Sequence, residues 1–205
     1  MKKKFLIPIM ILILVIGAVG GTLAWLTDQT DTVQNTFTVG NVDIDLTEEG
    51  ATEDSSDSQL FTQDFKMVPG TDIAKKPKVS VIAGSEACWL FVKVVESDNL
   101  DDYITYNMAT EWTELTGVSG VSGVYYIDVN AATANAGHTY NVLAPKGTTG
   151  AYSDGYVTVN NTVTKAMMDA LKVEGATQPT LTFKAYAVQK EGFDTAADAW
   201  VEASK

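Results

Sequence analysis

The segment CWLFVKVVE (Cys88–Glu96) has apolar side chains at every second position: Cys88, Leu90, Val92 and Val94. A period of two is typical of a β-strand, and β-branched and aromatic residues favour that conformation. In this pattern Cys88 is a small buried hydrophobe rather than a reactive thiol. It is the only cysteine of the 205-residue chain. No intramolecular disulfide can therefore form, and stability has to come from a packed core.

Other segments alternate in the same way, separated by turn-forming clusters such as VPGTD and APKGTTG. They are residues 36–46, 59–68, 77–83, 103–109, 124–130, 138–144, 155–160 and 180–189. In the first, the phase changes near Gly40, which predicts a β-bulge or a sharp bend there. The GVSGVSG run at residues 117–123 predicts the turn of a hairpin between EWTEL and VYYIDV. About nine short strands in one domain predict an all-β antiparallel sandwich.

One or two short helices interrupt the strand pattern. Residues 161–175 carry Asn161 or Thr162 as a cap, an apolar face of Val163, Met167 and Leu171, and a final Gly175. Residues 193–204 carry Asp194 or Thr195 as a cap, with Ala196, Trp200 and Val201 predicted to face inward. We expect each helix to cover an open end of the sandwich.

The N-terminus has the pattern of an export signal, because Lys2, Lys3 and Lys4 precede an uncharged apolar run over residues 5–24. Small residues before Trp25 predict cleavage between Ala24 and Trp25. The alternative is an uncleaved anchor, since about 20 apolar residues suffice to cross a bilayer. The predicted organisation is a signal peptide at residues 1–24, an N-terminal extension at 25–36 and a β-sandwich domain at 37–205.

Charge excludes several classes of partner. The chain has 14 basic and 26 acidic residues and a net charge of −12, which becomes about −15 once the three N-terminal lysines are removed. Such a surface repels nucleic acid and anionic lipid. Contact with a membrane is therefore expected only through the uncleaved signal. We expect the protein instead to stay soluble, to attract cations or to pair with a basic partner.

The sequence offers no recognisable catalytic centre, so we expect no enzyme activity. His138 is the only histidine, and a two-histidine zinc site is impossible. We interpret it as an exposed or hydrogen-bonded residue at the start of a strand. The pair Asp43 and Asp45 would share the solvent face of a strand. No cofactor is indicated. Glu53, Asp54 and Asp57 could supply oxygen ligands for Ca²⁺, so a calcium site stays an alternative. A mobile acidic surface loop at residues 48–59 is the simpler interpretation.

Several blocks, taken in order, resemble a known family of secreted proteins. They are GTLAWLTD at the signal junction, NTFTVGNVDIDLTE, VPGTDIAKKPKVSV, GSEACWLFVKV and LTFKAYAVQKEGF. Together they are similar to the TasA/camelysin (CalY)-like family, whose signal peptides are cut by a dedicated SipW-type signal peptidase. The resemblance implies a jelly-roll-like sandwich at the surface of a Gram-positive bacterium or outside it. It also implies a biofilm matrix fibre in which the N-terminal segment of one mature subunit completes a sheet of the next.

The resemblance thus implies self-assembly, together with other matrix proteins as further partners. In this chain the donor-strand anchors would be Trp25 or Leu26 and, further on, Val33. A first alternative is a monomeric surface adhesion module that uses exposed aromatic residues, with Trp112, Tyr125, Tyr126 and Tyr152 as candidates. A second is a camelysin-like metallopeptidase, which the single histidine and the lack of a metal motif argue against.

Overall fold

The computed structural model describes residues 40–53 and 61–205. Within these ranges the chain forms twelve β-strands and four short α-helices. The strands are β1 (Ile44–Glu48), β2 (Thr52–Glu53), β3 (Phe61–Thr62), β4 (Asp72–Ala74), β5 (Pro77–Val81), β6 (Cys88–Glu96), β7 (Ile104–Tyr106), β8 (Thr113–Glu114), β9 (Val124–Val129), β10 (His138–Asn141), β11 (Tyr156–Val159) and β12 (Leu181–Gln189). The helices are α1 (Leu100–Tyr103), α2 (Ala131–Ala136), α3 (Lys165–Ala170) and α4 (Ala196–Ala203).

The strands pair in antiparallel sheets, which confirms the predicted all-β class with few short helices. One sheet has the order β1-β5-β10, a second β4-β11-β7, a third β12-β6-β9-β8, and β2 pairs with β3. A bridge between Met108 and Leu143 connects the first two sheets. The more specific jelly-roll connectivity stays a prediction.

The core lies between these sheets and is centred on β6. Cys88, Leu90 and Val92 are fully buried on one face of β6, as the alternation predicted. They pack with Val79 of β5 and with Leu143 in the main hydrophobic cluster. Each fully buried side chain of this size stabilises the fold by about 1.5–3 kcal/mol relative to exposure.

The other face of β6 is also buried, because α4 packs against it. The Trp200 ring lies 5.3 Å from the Phe91 ring and 5.2 Å from the Tyr186 ring, measured between centroids. The helix thus covers the outer face of the four-stranded sheet, so the prediction that it closes an end of the sandwich is wrong. Thr195 caps it, as predicted, but Val201 is 57% exposed and the prediction that it faces inward is wrong.

Helix α3 begins later than the sequence indicated. Thr164, rather than Asn161 or Thr162, is the cap, and its side chain accepts a hydrogen bond from the Met167 amide at 3.3 Å. The apolar face is confirmed, since Val163 is buried and both Met167 and Leu171 pack against the core. Extended backbone at Thr164 delays the helix, which keeps Val163 in the core.

The strand predictions differ from the structure in several places. A strand was predicted at residues 59–68, but among the described residues of this segment only Phe61–Thr62 forms one. The strand predicted at 103–109 begins at Ile104, because Tyr103 is the last residue of α1. Strand β4 was not predicted, although the VPGTD turn that precedes it is present. The hairpin around residues 117–123 is confirmed, since β8 pairs with β9. Gly40 to Asp43 form no strand, and the residues before Gly40 lie outside the described residues, so the predicted bulge stays a prediction.

Candidate functional site at the β12 edge

Strand β12 is one of the two outer strands of the four-stranded sheet, and only one of its edges is paired in the described residues. It runs antiparallel to β6 over nine residues, from Leu181 opposite Glu96 to Gln189 opposite Cys88. No other strand of residues 40–53 or 61–205 pairs with its second edge. The outer strand of a sheet presents a row of backbone donors and acceptors that another chain can use.

The register shows which residues face that second edge. The Lys190 amide donates to the Ala87 carbonyl at 2.8 Å, and the Ser97 amide donates to the Thr180 carbonyl at 3.0 Å. Hydrogen-bonded and non-hydrogen-bonded pairs alternate along an antiparallel ladder. The residues between therefore direct N–H and C=O groups away from β6 at Leu181, Phe183, Ala185, Ala187 and Gln189. We call these outward groups the β12 edge.

Both faces of β12 are partly covered by the rest of the domain, and only Lys184 and Gln189 are exposed. Phe183 is buried in the main core, and Ala185 and Ala187 pack against the same core. Tyr186 and Val188 belong to the cluster under α4. Since both faces already carry packing contacts, a strand added in the plane of the sheet is the natural way to extend it.

Strand β1 of the neighbouring sheet lies close to β12. Cα atoms of the two strands come within 8 Å of each other, and no backbone ladder joins them. The half-buried Ile44 and Leu46 pack against the same core as Ala185 and Ala187.

An ion pair holds β1 at the start of β12. The Lys75 Nζ lies 3.0 and 3.1 Å from the two carboxylate oxygens of Glu48, the last residue of β1. The same ammonium lies 5.5 Å from the centre of the Phe183 ring and 5.4 Å from that of Phe65. The cation is thus in contact with the aromatic faces as well as the carboxylate.

The described chain begins beside the other end of β12. A methyl group added to Gly40 would lie 3.1 Å from the side-chain oxygen of Gln189 and 2.3 Å from a carboxylate oxygen of Glu86. The next residues are fixed in place, because the Asn41 carbonyl accepts from the Glu86 amide at 2.9 Å and the Asp43 amide donates to Ser85 Oγ at 3.1 Å. Gly40 therefore lies next to the last residue of β12.

The residues that the sequence singled out are not gathered at one site. Ala24, Trp25, Leu26 and Val33 lie outside the described residues, as do Asp54 and Asp57 of the calcium hypothesis. His138 is exposed at the start of β10, as predicted, with its ring 4.5 Å from that of Tyr140. Asp43 and Asp45 are exposed opposite the apolar side of β1, which is also as predicted.

Cys88 is buried, and burial raises the pKa of its thiol to about 11, with a smaller contribution from the charge of Asp128. A thiol with so high a pKa is protonated at neutral pH and is a poor nucleophile. The interpretation of Cys88 as a small buried hydrophobe is confirmed.

Of the aromatic residues considered for surface binding, Trp112 is buried, and its Nε1 donates to the Asn141 carbonyl at 2.8 Å. Tyr152 is half-buried and donates to the Asp72 carbonyl at 3.3 Å. Tyr125 and Tyr126 are half-buried on β9. Trp112 is therefore part of the core and is not a surface contact.

Two open depressions lie elsewhere on the domain. One, of about 510 Å³, contains Glu96, Tyr106 and Tyr125; the Tyr106 hydroxyl donates to Glu96, and burial together with that carboxylate raises the pKa of Tyr106. The second, of about 850 Å³, lies between residues 84–87 and 190–194, near Gly40. Within residues 40–53 and 61–205, no three His, Cys, Asp or Glu side chains are arranged to hold a metal ion.

In the part of the chain that the structure describes, every helix is too short or too polar to cross a membrane.

Sequence reasoning did not single out the β12 edge. The sequence feature that marks this edge locally is the pair of alanines at alternate positions of TFKAYAV. Their side chains are smaller than those of the other residues in the strand. Comparison with protein-family models, curated proteins and solved structures gives no significant match.

Proposed function

We propose that the protein is an exported structural subunit of an extracellular matrix or surface fibre. In this proposal a SipW-type signal peptidase releases the chain at Trp25, and the N-terminal segment of one subunit then adds as a strand to the β12 edge of another. The observation that carries the proposal is the row of outward backbone groups on β12, which have no partner among the described residues.

The number of hydrogen bonds sets the scale of the interaction. A strand along all of β12 would form roughly ten backbone hydrogen bonds, one with each outward N–H and C=O group of the five edge residues, each contributing about 1 kcal/mol net. The loss of translational and rotational freedom on association costs about 4–15 kcal/mol, which offsets most or all of that gain. Backbone pairing therefore needs apolar anchors, and burying Trp25, Leu26 or Val33 would add about 1.5–3 kcal/mol for each side chain.

Net charge opposes the association of copies. A mature charge of about −15 makes subunits repel one another, and a cation or a lower pH would reduce that repulsion. The Debye length is about 8 Å at physiological ionic strength, so added salt alone should already favour contact. Assembly is therefore expected to depend on salt, Ca²⁺ and pH even where no calcium site exists.

The first test compares the chain beginning at Trp25 with the chain beginning at Thr36 by negative-stain electron microscopy, over a range of Ca²⁺ concentration and pH. Circular dichroism establishes that both are folded. We expect fibres from the longer chain alone. Equal fibre yield from the two chains would contradict the proposal. Dispersed particles from both chains would favour the monomeric adhesion module, and a ligand would then be sought at the depression that contains Tyr106.

A second test addresses the acceptor edge itself. In Ala185→Pro the lost amide faces away from β6, so the ladder with β6 keeps its hydrogen bonds while the outer edge loses a donor. Ala185→Ser is the matched control, because it retains the amide. We expect the proline variant to fold as a monomer and to block fibre growth, whereas the serine variant assembles. Normal fibres from a folded Ala185→Pro protein would place the acceptor elsewhere.

A further inference from the structure

We propose that a second copy of this chain docks on the surface at the end of β6, about a two-fold axis that brings opposite charges together. The basic part of this surface is Lys93 and Lys184, which we call the lysine pair. The acidic part is Asp98, Asp101 and Asp102, which we call the acidic turn. The contact is made by side chains and is independent of strand addition at the β12 edge.

The lysine pair lies on two neighbouring strands. Lys93 of β6 stands directly opposite Lys184 of β12 in the antiparallel register. Both belong to the outer face of the sheet, because Phe91 and Tyr186, two residues away on the same strands, pack under α4. Like charges directly opposite each other destabilise a strand pair. A carboxylate placed against both ammonium groups would relieve this repulsion.

The lysine pair has no carboxylate neighbour in the part of the chain that the structure describes. Within residues 40–53 and 61–205, the lysines with an ammonium group within 4.0 Å of a carboxylate oxygen are Lys75, Lys76, Lys78, Lys146, Lys165, Lys172, Lys190 and Lys205. Lys66, Lys93 and Lys184 form no such contact there, and only the last two stand opposite each other in a ladder. Charge complementarity therefore favours an acidic partner at the lysine pair.

The acidic turn follows β6 directly and is held in place by hydrogen bonds. The Ser97 amide donates to the Thr180 carbonyl at 3.0 Å, and the Thr180 amide donates to Ser97 Oγ at 2.8 Å. The Asn99 side-chain amide donates to the Thr177 carbonyl at 2.9 Å. All three aspartates of the turn are exposed, and none forms an ion pair with a described lysine. A partner can therefore meet them without first ordering the turn.

An exposed apolar residue separates the two charged parts. Val95 is 42% exposed and is the next residue after Lys93 on the outer face of β6. Asp98 lies five residues beyond Lys93, which is about 17 Å of extended chain. A two-fold axis near Val95 sets the lysine pair of each copy against the acidic turn of the other. Such a contact is closed, because the same patch of both copies is used and no surface is left to add a third.

The dimer is expected to be weak. Exposed ion pairs contribute little individually, and the net charge of −12 makes two copies repel each other. We therefore expect a reversible dimer at high protein concentration. The decisive test exchanges charges rather than changing the salt concentration, since salt screens the local attraction and the overall repulsion alike.

Sedimentation velocity of the chain beginning at Trp25 carries out this test. One variant carries Lys93→Glu with Lys184→Glu, and a second carries Asp98→Lys with Asp101→Lys. We expect dimers in the unsubstituted chain, monomers in each variant alone, and dimers again in an equal mixture of the two variants. Fibres sediment far faster than dimers and are scored separately.

The matched control carries Lys165→Glu with Lys172→Glu on α3, which changes the net charge by the same amount. Circular dichroism establishes that every variant is folded. Mixed with the chain that carries Asp98→Lys and Asp101→Lys, the control should dimerise at least about tenfold more weakly than the variant of the lysine pair. Equal dimerisation of the two mixtures would show that net charge alone drives association and would overturn the inference. A monomeric unsubstituted chain, or no dimer in the first mixture, would overturn it as well.

A second measurement needs no substitutions. Chains with natural isotopes are mixed with heavy-isotope-labelled chains and treated with a carbodiimide, which couples an amine to a carboxylate only where the two are in contact. We expect peptides that join Lys93 or Lys184 of one isotope to the acidic turn of the other. Absence of such mixed links would contradict the docking. Neither measurement alters the backbone of the β12 edge, so the fibre yields described above decide the proposed function separately.

Discussion

Lys75 and Glu48 form an ion pair that is largely removed from water. The ammonium lies 3.0 Å from a carboxylate oxygen, and the two side chains are only 11% and 15% exposed. The pair joins the end of β1 to the Phe183 region of β12, since the same ammonium lies against that aromatic ring. A charge with so little access to solvent depends on its partner for most of its stabilisation.

We therefore expect Lys75→Met to destabilise the domain by about 2–3 kcal/mol, because it leaves the Glu48 carboxylate half-buried without a partner. This is below the 3–5 kcal/mol typical of a fully buried pair, since some water still reaches both groups. Urea unfolding followed by tryptophan fluorescence measures the change. The double variant Lys75→Met with Glu48→Gln should recover part of the loss.

Lys76 supplies the matched control. It pairs with Glu49 at 2.8 Å, but that carboxylate is 73% exposed. Exposed pairs contribute little, so Lys76→Met should leave the unfolding midpoint almost unchanged. If the two lysine variants unfolded at the same urea concentration, burial would not explain the contribution of the Lys75 ion pair to stability.

The second prediction concerns the cluster under α4. Trp200 is 5% exposed and packs on Phe91 and Tyr186. Trp200→Ala should reduce the free energy of unfolding by about 3–5 kcal/mol, as large-to-small changes in cores do. Val201→Ala on the same helix should change it by less than about 0.5 kcal/mol. Thermal unfolding of both variants measures the difference, and a similar loss in each would mean that α4 is not docked on the sheet.

The third prediction is a loss of stability at alkaline pH. The pKa of Cys88 is raised from 9.0 to about 11, so the unfolded chain ionises before the folded one. The stabilising effect is complete below pH 9 and is lost as the pH rises toward 11. Because Tyr106, Tyr125 and Tyr140 also have raised pKa values, the comparison is with Cys88→Ala. Denaturant unfolding between pH 8 and pH 11 should show a steeper decline in the unsubstituted protein.

Alkylation provides an independent check of the same thiol. Iodoacetamide at pH 9 should modify Cys88 readily in denaturant and at least tenfold more slowly in the folded protein, where the thiol is buried and protonated. Comparable rates in the two states would show that the thiol is accessible.

The fourth prediction concerns acid. The Lys78 ammonium lies 2.9 Å from Asp154, and this hydrogen bond holds the pKa of that carboxyl below its ordinary value of 3.8. Its contribution to stability is present above pH 4 and is lost as the pH falls further, because the unfolded chain takes up the proton first. Asp154→Asn should therefore flatten the dependence of stability between pH 2 and pH 4. The same pH dependence in Asp154→Asn and in the unsubstituted protein would contradict this role of the ion pair.

The strands with a period of two were predictable from sequence, because alternate residues of a strand point to opposite faces of the sheet and leave a local pattern. Strand β6 was predicted with its observed bounds, Cys88–Glu96, and β12 within one residue. Helix α2 was missed because AATANA has no apolar face, and only its Asn130 cap marks it. Val201 was wrongly predicted to face inward, because the sequence does not show that α4 contacts only one sheet face.

The candidate site was not predictable in the same way. Whether a strand lies at the edge of its sheet depends on pairings between distant segments, such as Ala187 with Leu90. Alternation in residues 180–189 is the same for an inner and an outer strand. The position of Gly40 beside Gln189 likewise depends on the path of the whole chain.

The nine-residue ladder between β6 and β12 also has a mechanical consequence. Its hydrogen bonds run perpendicular to the strands, so tension applied along the strand axes loads all of them at once in shear. Tension applied across the sheet would instead open them one after another, as a zipper opens. The domain should accordingly resist stretching far better along β12 than at right angles to it.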